Sequence, residues 1–167
     1  MNKFHRKSLL IDSNLLLLLL IGSLNPSLIR KEKITANQDF NEADFNQLRG
    51  FIGQFQKLVT TPHILAEVSN HADKIKGPNH GKFFQQFIAL IEQLDECSEA
   101  SKSLAKADTF TRFGLTDTAI SHLAKENVFV LTVDFPLSGY LQKKGVNAIN
   151  FHNVRLMPHA NWIFLRK

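Results

Sequence analysis

Four acidic residues, Asp12, Glu67, Asp117 and Asp134, stand where the sequence makes a carboxylate expensive. Asp12 follows the apolar run Leu9-Leu10-Ile11 and precedes Ser13, Asn14 and the leucines from Leu15 to Leu20. A carboxylate beside so much leucine is costly unless it is paired or binds a metal. Asp134 closes a second apolar run, Val128 to Val133. Glu67 shares a helical face with Ile64 and Val68, and Asp117 lies close to the apolar face of Ala119, Ile120 and Leu123. Each has a plainer account. Asp12, Ser13 and Asn14 are good helix N-caps, Asp117 suits a helix first turn through the macrodipole, and surface Glu is common. Gathered in one place, ionised carboxylates repel one another. A divalent cation reverses that, since Mg²⁺ and Mn²⁺ prefer oxygen ligands. Such an ion activates water and stabilises charge on a transferring phosphoryl group.

The elements that must position these acids alternate. Ser8 to Ile11 reads as a buried strand, which puts Asp12 at its carboxyl end, and Leu15 to Ser23 as a helix, apolar all round and ended by Gly22 and Asn25-Pro26. Ser27 to Gln38 shows no clear period. Phe45, Leu48, Ile52 and Phe55 predict an amphipathic helix over Asn41 to Lys57. Leu58 to Thr61 is a short β-branched strand, and Pro62 starts the helix that carries Glu67. After a turn at Gly77-Pro78-Asn79, Phe83 to Leu94 predicts a long helix, broken from Asp95 to Ser98 with Ser98 as an N-cap. A further helix runs to about Phe113, ended by Gly114. Thr116 is then the N-cap of a helix from Asp117 to Lys125.

Val128 to Thr132 is the clearest strand, as expected for a central parallel one. Asp134 and Pro136 lead into a helix to about Lys144, and Val146 to Phe151 is a last short strand. The tail's Trp162 to Leu165 suits an edge strand. Alternating strands and helices imply an α/β fold, a three-layer α/β/α sandwich with a mainly parallel sheet. Ligands in such sheets bind beyond the carboxyl ends of the strands, where Asp12 and Asp134 fall.

The 167 residues suffice for a single domain with a proper core. A net charge of +5 suits a polyanionic partner without requiring one. The single cysteine, Cys97, excludes an internal disulfide framework and suits a reducing cytoplasm. Lys3, Arg6 and Lys7 before the leucines resemble a secretory signal, but Asp12 and Asn14 interrupt the run and no small-x-small site follows. Leu15 to Ile21 is far too short for a membrane span.

Four motifs in order, Ile11-Asp12-Ser13-Asn14-Leu15-Leu16, Thr61-Pro62-His63-Ile64-Leu65-Ala66-Glu67, Gly114-Leu115-Thr116-Asp117-Thr118-Ala119-Ile120 and Val130-Leu131-Thr132-Val133-Asp134, closed by Gly145-Val146 and Ile149-Asn150-Phe151, resemble those of the PIN domain nucleases. The resemblance covers about residues 8–151 and leaves 152–167 as an extension. It implies a Mg²⁺- or Mn²⁺-dependent endonuclease acting on single-stranded RNA. Asp12, Glu67, Asp117 and Asp134 would be its acidic quartet, with Asn14, Thr116 and Thr132 as supporting polar residues. Asp12 and Asp117 would hold the metal directly. Bacterial toxin–antitoxin pairs are the commonest setting, which would add an antitoxin protein and a homodimer as partners. The helical stretch between Glu67 and Asp117 and the segment Ser27 to Lys57 make the chain longer than a compact toxin.

The rival within the same fold is a PIN-like module that binds RNA or protein without cutting, marked by a strongly raised carboxylate pKa. A haloacid dehalogenase phosphatase wants a second Asp where Asn14 stands, and a receiver domain wants paired acids at the first strand. His63 and His71, on the helix of Glu67, suit ordinary surface or capping roles. Lys102, Lys106, Arg112, Lys143 and Lys144 suit phosphate contacts or a solvated face equally.

Overall fold

Short apolar runs with polar residues behind them become the middle of a sheet. In the computed structural model, which describes residues 8–36, 38–125 and 127–157, β1 (Ser8–Ile11), β2 (Lys57–Thr60), β3 (Asp95–Glu96), β4 (Val128–Thr132) and β5 (Ala148–Asn150) form a five-stranded sheet. Every pairing is parallel, and the order is β3-β2-β1-β4-β5. Leu9 lies between Leu58 and Phe129, and both Leu9 and Leu10 are fully buried, as a central parallel strand requires. Helices flank the sheet in a three-layer α/β/α arrangement.

From β1 the chain moves outward to β2 and β3, then returns to place β4 on the other side of β1. The topological switch point is therefore between β1 and β4, where a crevice opens beyond the strand ends. Ile11 pairs with Leu131, so Asp12 and Thr132 lie level there.

The leucines after Asp12 form α1 (Ser13–Leu24), packed against α3 (Glu42–Ile52), α4 (Pro62–Ala72) and α5 (Pro78–Ile91). Neighbours on several sides explain why Leu15, Leu16, Leu17 and Leu18 can all be buried. Gly22 lies inside α1 rather than at its end, because the ring of Phe45 on α3 crosses it: a Cβ there would stand 2.3 Å from that ring. Asn25 caps the C-terminus and its side chain starts the 3₁₀ turn Pro26–Leu28. The remaining helices are α2 (Lys33–Ala36), α6 (Ser101–Leu104), α7 (Phe110–Leu123), α8 (Phe135–Lys143) and α9 (Phe151–Arg155). Among the described residues no helix is long and apolar enough to cross a membrane.

Several boundaries differ from the sequence expectation, each for a local reason. The helix expected over Asn41 to Lys57 ends at Ile52, since Lys57 is drawn into β2 opposite Ser8. Pro78 belongs to α5 and not to a turn; only Gly77, at φ 68°, turns the chain. The break at Asp95 to Ser98 contains a strand: Asp95 and Glu96 pair with Val59 and Thr60, and Lys57 forms an ion pair with Asp95. Ser98 caps no helix among the described residues, and α6 starts at Ser101 behind Ala100. Phe151 opens α9, capped by the Asn150 side chain, where a strand was expected to continue. The edge strand expected over Trp162 to Leu165 lies outside the described residues.

Candidate functional site

Asp12 ends β1 and caps α1. Its Oδ1 accepts from the Leu15 N–H at 2.9 Å, so the plain capping account is correct as far as it goes. Its Oδ2 does more. It accepts the Thr132 hydroxyl at 2.6 Å and the Val133 N–H at 2.7 Å, both from the end of β4. Thr132 is fully buried, and its hydroxyl oxygen in turn accepts the Asp134 N–H at 3.0 Å. One threonine thus locks the two strand ends together. Burial pushes the Asp12 carboxyl above its usual range, against the hydrogen bonds from Thr132, Leu15 and Val133 that favour the charged form.

Asp134 repeats the pattern as the N-cap of α8, accepting the Leu137 N–H on Oδ1 at 2.6 Å, and it stands exposed. Its Oδ2 takes no hydrogen bond from the described residues.

Glu67 is half-buried on α4. Its Oε2 accepts the Ser13 hydroxyl at 2.5 Å, and its Oε1 accepts the Thr116 hydroxyl at 2.6 Å. Thr116 is therefore no N-cap. The irregular residue lies two positions earlier: Gly114, at φ 77° and ψ −173°, interrupts α7 and lets the segment after it turn towards Glu67. A residue with a Cβ is strained at that φ. Ser13 is a site residue that the sequence reading missed, and its only signal was its place next to Asp12.

Asp117 follows on α7, half-buried, with no hydrogen bond from the described residues. Its pKa is pushed up to about 7, first by burial and then by the charges of Asp134, Asp12 and Glu67. All four acids and Asn14 line one cavity of about 380 Å³, and among the described residues no Lys, Arg or His lines it. His63 and His71 are elsewhere, and His71 lies beside Lys74. The five basic residues considered for phosphate contact are exposed outside the cavity. Arg112 is stacked 4.7 Å over the ring of Phe113, which does line the cavity.

Among the described residues, no three His, Cys, Asp or Glu side chains are drawn closely enough together to enclose a metal ion. The four carboxylates line the cavity instead. The donor set still suits a hard divalent cation: it is all oxygen and acidic, with no cationic side chain among the described lining residues. Among the described residues, no donor reaches the Asp117 carboxylate or Asp134 Oδ2, and Asp12 Oδ1 accepts one hydrogen bond. No protein-family model matches the chain, and no curated protein matches it.

Proposed function

We propose that the chain is a Mg²⁺- or Mn²⁺-dependent endoribonuclease that hydrolyses phosphodiester bonds of single-stranded RNA, in the manner of the PIN domain nucleases its motifs resemble. The observation that carries this reading is the cavity at the switch point, lined by Asp12, Glu67, Asp117 and Asp134 with no basic residue among the described lining residues. Clefts of one charge sign concentrate counter-ions, and the carboxylate repulsion that adds to burial in raising Asp117 is what a cation would relieve. Asp12 and Asp117 would hold the ion, with Asp134 beside them. A bound divalent ion supplies Lewis acidity and an activated water. Glu67, tethered on both oxygens by Ser13 and Thr116, would orient that water along the line of attack. Thr132 keeps Asp12 and Asp134 in register. Hydrolysis would leave a 5′-phosphate and a 3′-hydroxyl. The exposed free thiol of Cys97 suits a cytoplasmic setting.

A second reading, a module that binds RNA or protein without cutting, is favoured by one observation. An Asp held near pKa 7 is a group that keeps its proton for want of a cation. Cleavage of a labelled single-stranded RNA decides between them, run with Mg²⁺, Mn²⁺ or EDTA and with Asp12→Asn and Asp117→Asn. Metal-dependent cutting lost in both variants supports the nuclease. No cutting by wild type, with no heat of Mn²⁺ binding in calorimetry, leaves the binding module.

A further inference from the structure

Large apolar side chains are seldom left in water beside a polar cavity without a reason. Phe135, the residue after Asp134, is 58% exposed at the start of α8, between the exposed residues Asp134 and Pro136. It is not a loose side chain. The imidazole of His152 on α9 stacks against it with ring centroids 5.3 Å apart and planes inclined by 9°. His152 is itself fixed: its Nδ1 lies 3.2 Å from Nη1 of Arg155. Arg155 is anchored in turn. Its Nε and Nη2 donate to the two oxygens of the buried Asp44 at 2.7 and 2.9 Å, and Nη2 also donates to the Asp39 carbonyl at 2.9 Å. Asp44 closes a capping box with Asn41 at the start of α3. A buttress therefore runs from α3 through α9 to a single aromatic ring next to the cavity. A parallel ring covers only one face of its partner, and the exposure of Phe135 leaves the other accessible.

We propose that Phe135, braced by His152, Arg155 and Asp44, is a stacking platform for an unpaired base of the single-stranded RNA whose phosphate enters the acidic cavity. This deepens the nuclease reading and rests on it. Aromatic faces bind bases whatever their sequence, because every base presents a π-face. A ring held rigid beforehand loses little freedom when the base arrives. Its place directly after Asp134 puts the base beside the nucleotide at the cavity. A duplex offers no free base face, so the platform selects single strands.

The test compares wild type, Phe135→Ala and Phe135→Trp. Binding of a labelled single-stranded RNA is read by fluorescence anisotropy in Ca²⁺, and kcat and KM for its cleavage are read in Mn²⁺. Phe135 is exposed, so both variants should keep the wild-type melting temperature. Phe135→Ala is expected to weaken binding about 5- to 150-fold, the range for loss of one stacked base. KM should rise with it, and Phe135→Trp should restore both. With abasic RNA the difference between wild type and Phe135→Ala should vanish. Equal binding by wild type and Phe135→Ala, with cleavage intact, would overturn the platform and leave the nuclease standing. A loss that persists on abasic RNA would also overturn it, since the contact would not be to a base. Wild type that neither binds nor cuts single-stranded RNA would remove the nuclease reading, and the platform with it.

Discussion

Replacing Asp117 by Asn should make the metal-free protein more stable, and more so at high pH. The folded chain keeps the Asp117 proton up to about pH 7, whereas the group's ordinary value is 3.8. Between those values the folded state binds more protons than the unfolded one, so stability falls as pH rises through the window. Above about 7 the whole cost is present. A gap of roughly three pH units at about 1.36 kcal/mol each sets an upper limit near 4 kcal/mol. Asp117 is only half-buried, and solvent screening brings that to about 2 kcal/mol. For a chain of this size each kcal/mol moves the melting temperature by roughly 2–4 °C. In EDTA at pH 8.5, scanning fluorimetry should therefore place Asp117→Asn about 4–8 °C above wild type, and less than half as far above it at pH 5. Saturating Mn²⁺ should raise wild type by mass action and the variant much less. Equal melting temperatures at pH 8.5, or an advantage that grows towards acid, would refute the cost of holding Asp117 charged, half-buried and beside three other acids.

Thr132→Val removes the hydroxyl that joins Asp12 to the Asp134 N–H, leaving a buried carboxylate oxygen short of one donor. It should cost about 1–3 kcal/mol in urea unfolding and lower kcat about 10- to 100-fold, a typical cost of losing such a supporting contact; Thr132→Ser should recover most of both. Gly22→Ala should destabilise by about 1–3 kcal/mol in spite of better helix propensity, because the new methyl would meet the buried Phe45 ring; thermal unfolding reads it. Arg155→Ala should cost about 3 kcal/mol by stranding the buried Asp44 carboxylate. Arg155→Lys should recover only part, since a single ammonium cannot match the paired contacts, and chemical denaturation separates the two.

The strands leading to Asp12 and Asp134, the helix start at Pro62 and an all-round apolar α1 were legible from the chain alone, while the helices read from Leu15 and Pro136 begin slightly earlier, at Ser13 and Phe135. They rest on interactions between neighbours in sequence: an apolar run, a cap reaching three residues ahead, a proline at a first turn. The four acids could be singled out in the same way, each standing beside an apolar pattern, and the structure places all four on one cavity. What the sequence left open depends on partners far along the chain. Thr132 meets Asp12 across 120 residues and Ser13 meets Glu67 across 54, distances that only the order β3-β2-β1-β4-β5 closes. Asp95 and Glu96 have little strand propensity and become β3 because β2 presents unpaired backbone to them. Thr116 carries the signature of a cap, yet the turn at Gly114 hands its hydroxyl to Glu67. The raised pKa of Asp117 and the brace behind Phe135 likewise arise from side chains that folding alone makes neighbours.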